Sequence, residues 1–101
     1  MRYLGRLRGV GVLTRQDESV ASAEYELDGY QTRPGHVTGS GEIRATPQIL
    51  KSVFGNRGLA LRTDDGRVLS IRFSEKRLGP QDAIAAVEFV GDLPSAPHWG
   101  R

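Results

Sequence analysis

Apolar and polar residues alternate with period two along most of this chain, the pattern of strands with one face buried and one exposed. The clearest stretch is residues 58–73. Leu59 and Leu61 alternate with Ala60 and Arg62, and Leu69, Ile71 and Phe73 alternate with Ser70 and Arg72. Asp64-Asp65-Gly66 lies between the two runs. A two-residue loop at Asp65-Gly66 would set Arg62 against Leu69. A loop of Asp64-Asp65-Gly66 sets Leu61 against Leu69 and Leu59 against Ile71, so that the apolar residues share a face. Because a one-residue slip flips a whole strand, the second register is predicted, with Gly66 in the left-handed conformation that such a loop requires.

The same alternation predicts further strands. Residues 3–15 are glycine-rich and weakly alternating, with Gly5, Gly9 and Gly11 suggesting a bent strand or two short ones joined by a bulge. Over residues 20–30, Ala23, Tyr25 and Leu27 fall on one face and Glu24, Glu26 and Asp28 on the other. Pro34-Gly35 marks a turn. In residues 37–45, Val37 and Ile43 share a face with Gly39 and Gly41, a spacing that signals a sharp coil or the close approach of a bulky group such as Phe54 or Tyr25. Residues 83–90 read as alanine-rich helix or as buried strand. Their shortness, and the Gly91-Asp92-Leu93-Pro94 that follows, favour the strand.

One segment changes period. Ile49, Leu50, Val53 and Phe54 recur at helical spacing after Thr46, a good N-cap, and Pro47, which suits the first helical position; Gly55 can end the turn. A short helix near residues 47–54 is predicted, plugging one end of a barrel or covering an open sheet edge. The chain therefore reads as mainly all-β: a small antiparallel β-barrel or roll of about six or seven strands with one short helix. A meander is the simplest topology, since sequential strands tend to be neighbours, and a two-sheet sandwich is the alternative. Residues 1–93 form the single domain, and residues 94–101, with Pro94 and Pro97, a flexible tail.

Composition adds little chemistry. The chain has 101 residues, one domain's worth, and no cysteine, which removes disulfides and thiolate metal sites. No apolar run is long enough for a signal peptide or a membrane helix, so the expected location is cytoplasmic, with no membrane partner. Net charge is +2. Of the 14 basic residues only Lys51 and Lys76 are lysines, leaving twelve arginines. Arg62 and Arg72 share the outer face of the predicted hairpin, and with Arg6 and Arg8 near the N-terminus they outline a basic face that could meet phosphate. A nucleic-acid barrel would add exposed rings for stacking, and only Tyr3 and Tyr30 are placed to serve.

Other chemical signals are weak. Glu24, Glu26 and Asp28 form a row on one strand, but residues two apart stand nearly 7 Å from each other and do not converge on one ion unaided. Cross-strand pairing with Arg44 explains them better. The stretch from Gly35 to Gly41 lacks the Lys-Ser/Thr ending of a phosphate loop. His36 lies in a loop and His98 in the tail, so no metal site, cofactor or catalytic residue is assigned. Trp99, the only tryptophan, marks either a partner contact or a tail folded back on its own domain. The function expected is a non-catalytic binding or protein-interaction module. It would hold a small apolar ligand in the barrel beside Gly39, Gly41 and Tyr25, or a protein partner on its rim, with a homodimer as one form of such a contact. The alternative is a nucleic-acid or phosphate-binding barrel using the arginine face.

Overall fold

The expected alternation is realised in six strands and a helix, in the order β1 (Arg2–Arg15), β2 (Glu18–Arg33), β3 (His36–Arg44), α1 (Pro47–Val53), β4 (Leu59–Arg62), β5 (Val68–Phe73) and β6 (Ile84–Gly91). This computed structural model describes residues 1–91 together with Leu93, Pro94 and Trp99. Every strand pairing is antiparallel, and the sheet closes into a barrel in the order β1-β2-β3-β6-β5-β4.

That order corrects the meander. A continuous meander would set β3 beside β4. Instead, α1 carries the chain across the end of the barrel, β4 pairs with β1, and β6 takes the place beside β3. The barrel is thus two three-stranded meanders, β1-β2-β3 and β4-β5-β6, joined along two seams. The second seam is short, running only from Val12↔Arg62 to Arg15↔Leu59.

The hairpin has the predicted register. Leu61 pairs with Leu69 and Arg62 with Val68, and Gly66 has φ +89°. Thr63 and Arg67 close the turn through the Thr63 N–H to the Arg67 carbonyl at 2.8 Å and the Arg67 N–H to the Thr63 hydroxyl at 3.0 Å. Residues 84–91 are strand, with Ala85, Val87 and Phe89 facing in. The helix begins as predicted: the Thr46 hydroxyl accepts from the Ile49 N–H at 3.3 Å and Pro47 occupies the first turn. Leu50 and Val53 are fully buried in the core, and Phe54 packs on Phe73 with ring centroids 4.8 Å apart. The helix therefore plugs the end of the barrel where β1 turns into β2.

The other end is closed from the C-terminal side. Leu93 packs against the core, and Pro94 and Trp99 are buried. Of the tail expected to be flexible, these two residues are the described ones, and both are inside; the rest of residues 95–101 lies outside the described residues. Pairing sets Gly5 opposite Gly29 and Gly29 opposite Gly39, so three strands present a row without side chains to the interior. A Cβ on Gly29 would stand 2.4 Å from the Trp99 ring. The indole therefore lies directly on Gly29, in the middle of this glycine floor. Its Nε1–H donates to the Pro94 carbonyl at 2.8 Å, so the polar atom is satisfied within the segment that carries it.

Candidate functional site

At Gly39 and Gly41, the positions expected to make room for a ligand, the space is already taken. A Cβ on Gly39 would meet Leu27 Cδ1 at 3.3 Å, and Leu93 Cδ2 and Phe89 Cβ at 3.4 Å. A Cβ on Gly41 would lie 2.0 Å from the Glu26 carbonyl oxygen. These two glycines record close packing of side chains in one case and of the neighbouring strand in the other. The bulky neighbours expected there, Phe54 and Tyr25, are elsewhere. Phe54 is at the helical end. Tyr25 sends its hydroxyl toward the β4–β5 turn, where it donates to Asp64 at 3.0 Å beside Gly9. Burial, and then this bond to a carboxylate, push its pKa up to about 12. Trp99, expected as a partner contact, is 2% exposed and forms part of the core.

The outer surface holds the charges, and pairing arranges them in rows across the strands. One row is Arg6, Asp28, Ser40, Glu88 and Arg72; the next is Arg8, Glu26, Glu42 and Ala86; a third is Val10, Glu24, Arg44 and Ile84. The expected basic face is not contiguous. Arg6 lies between two carboxylates, with its Nε 3.0 Å from Asp28 and its Nη1 3.2 Å from Glu26. Arg72 pairs with Glu88 at 2.8 Å. Arg62 stands on β4 opposite Val12 and Val68, away from Arg6 and Arg8. The partner expected for the acidic row also differs. Arg44 is opposite Glu24 in register, yet the ion pairs of that row run to Arg6 on β1. Arg6, joined by a hydrogen bond of 2.9 Å from the Tyr3 hydroxyl, holds the Asp28 carboxyl below its ordinary range. Tyr3 and Tyr30 pack on each other, ring centroids 5.4 Å apart.

Two of these rows border a groove of about 350 Å³, lined by Arg8, Gly9, Val10, Glu24, Tyr25, Glu26, Glu42 and Arg44. Among the described residues, Arg8, Glu24, Glu42 and Arg44 make no ion pair, although both signs are present. Glu26 and Glu42 face each other directly across β2 and β3, an arrangement that destabilises the sheet unless a cation comes between them. The sequence supplied each residue of this groove. It could not show that β1, β2 and β3 would assemble them, because Arg8 and Arg44 are far apart along the chain.

No protein-family model, curated protein or solved structure matches the chain. The site must therefore be read from its own chemistry. Among the described residues no cluster of three or more His, Asp or Glu side chains could hold a metal ion, and no helix is long and apolar enough to cross a membrane. His36 begins β3 at the surface, and His98 lies outside the described residues. Glu24 and Glu26 line the groove, while Asp28 is engaged by Arg6 and Tyr3.

Proposed function

We propose that this protein is a non-catalytic, cytoplasmic protein-interaction module that meets its partner on the outer wall and rim of β1-β2-β3. The observation that carries this reading is the groove in which Arg8, Glu24, Glu42 and Arg44 stand exposed with both signs of charge and, among the described residues, no ion pair. Charges left uncompensated on a folded surface set orientation and partner choice, because a wrong partner brings like charges together. The packed interior supports the same reading, since a small apolar ligand would have to displace Leu27, Leu93 or Phe89. The interspersed carboxylates support a protein partner over nucleic acid, whose phosphates they would repel.

The test is comparative affinity capture from an extract of the protein's own cells at low salt. The bait is the intact chain or the triple variant Glu24→Lys, Glu42→Lys, Arg44→Glu. These side chains are exposed, so the variant is expected to keep the thermal stability of the parent. A protein retained by the parent, lost at high salt and lost with the variant supports the reading. Equal recovery by both baits, or a nucleic acid as the retained species, contradicts it.

A further inference from the structure

Among the described residues, β1 is paired on one edge over its whole length and on the other only at its end. Its pairing with β2 runs from Arg2 to Arg15, whereas β4 reaches it only from Val12 to Arg15. The β4–β5 turn then fills the space beside Gly9, where the Asp64 carboxylate lies 2.9 Å from the position of a Cβ. Beyond the turn, no described strand pairs with Arg2–Arg8 on the side away from β2. Backbone N–H and C=O groups on such an edge are a template for another strand.

We propose that the Arg2–Arg8 edge of β1 receives an extended strand from a partner protein, acidic on its outward side chains and apolar on its inward ones. This rests on the protein-interaction reading above and gives it a partner class. Two features of β1 define the occupant. On the outer face Arg6 and Arg8 stand two residues apart along the edge; Arg6 is already paired with Asp28 and Glu26 of β2, and Arg8, which has no ion pair among the described residues, is the cation open to a partner. On the inner face Leu4 and Leu7 pack against the core but remain only half-buried, with no described strand beside them on that side. A strand has a side-chain period of two, so one that covers Leu7 with an apolar residue places its next side chains beside Arg6 and Arg8. A second copy of this chain is a poor occupant, because pairing two such edges sets arginines against arginines. The bulge between Tyr3 and Gly5, with Gly5 at φ 142°, works in the same direction by bending the edge away from flat self-association.

The experiment uses the full chain, labelled with ¹⁵N, titrated at low salt with a capped peptide that alternates glutamate with valine and threonine. A second peptide has lysine in place of every glutamate. The expected result is binding of the acidic peptide about tenfold or more tighter than the lysine peptide, the direction that charge complementarity dictates. It is accompanied by slowed hydrogen exchange at those amides of Arg2–Arg8 that β2 does not receive. In Arg8→Glu, a surface change that leaves the core untouched, the preference weakens or reverses. Equal binding of both peptides overturns the proposal, as does an absence of shifts in β1 at millimolar peptide. Shifts confined to the Glu24, Glu42 and Arg44 groove, without protection of β1, also overturn the strand but leave the broader reading intact. That reading fails separately, through equal capture by the triple variant.

Discussion

The two halves of this barrel solve the same folding problem with different materials. In β1-β2-β3 the strands are 14, 16 and 9 residues long; in β4-β5-β6 they are 4, 6 and 8. The short half faces the interior with Leu59, Leu61, Leu69, Ile71, Ala85, Val87 and Phe89, and it closes on the helix. Its outer face around Val68 and Val90, which are 53% and 50% exposed, is sparsely charged. The long half carries most of the charged rows outside, only the Glu88–Arg72 pair lying on the short half. Inside, it gives up side chains at Gly29 and Gly39, where Trp99, Leu93 and Leu27 fill the space, and at Gly41, where the β2 backbone lies close. One half is stabilised by its own alternation. The other depends on residues distant in sequence, and no described strand pairs with the Arg2–Arg8 edge of β1 on the side away from β2.

The largest effect expected from this contrast is at Trp99. Trp99→Ala empties the glycine floor and should cost about 3–5 kcal/mol in chemical denaturation, whereas Trp99→Phe should cost distinctly less. An alanine variant with the parent's denaturation midpoint would show that the long half does not need its plug.

Glycine-to-alanine changes sharpen the comparison within that half. Gly41→Ala pushes against strand backbone, which cannot yield cheaply, and Gly29→Ala pushes against the Trp99 ring. Both should destabilise by about 1–3 kcal/mol, the usual cost of overpacking, with Gly41 the more severe. Gly39→Ala meets side chains at 3.3–3.4 Å and should cost the least of the three. Equal midpoints for all three variants would contradict the packing described.

Between the halves, Tyr25 ties β2 to the β4–β5 turn. Tyr25→Phe should lose about 1 kcal/mol, the net value of a typical hydrogen bond. The folded pKa is raised, so this contribution is fully present below the unfolded value of 10.0 and disappears as the pH rises toward about 12. Stability curves of parent and phenylalanine variant should therefore converge over that window. Curves that stay parallel there would contradict the Tyr25–Asp64 bond.

The smallest effect belongs to the charged wall. The Asp28 carboxyl is held low, so its contribution is present at neutral pH and is lost as the pH falls through the carboxylate range. Asp28→Asn should shift stability only slightly, and less still at high salt, as is usual for exposed pairs. A large, salt-independent loss would mean that the wall holds the fold together.

What could be read from the sequence follows the same division. The hairpin of β4 and β5, the capped helix and the strand at Ile84–Gly91 are local, set by period, turn residues and capping. The expected pairing of the acidic row with Arg44 failed because β2 has a neighbour on each side, and Arg6 of β1 was the nearer in space. The occupant of the inner glycines was misjudged for a related reason. A glycine on a strand face signals close approach, but nothing local says that Leu93 and Phe89 of distant segments crowd Gly39, or that the β2 backbone crowds Gly41. The free edge of β1 depends on strand order, which alternation does not encode.

The fluorescence of the single tryptophan tests the central claim most directly. The account predicts blue-shifted emission from Trp99 that resists an aqueous quencher in the native protein and becomes accessible only with global unfolding. Red-shifted emission, freely quenched under native conditions, would mean that the glycine floor stands open. The interior would then be a candidate ligand site after all.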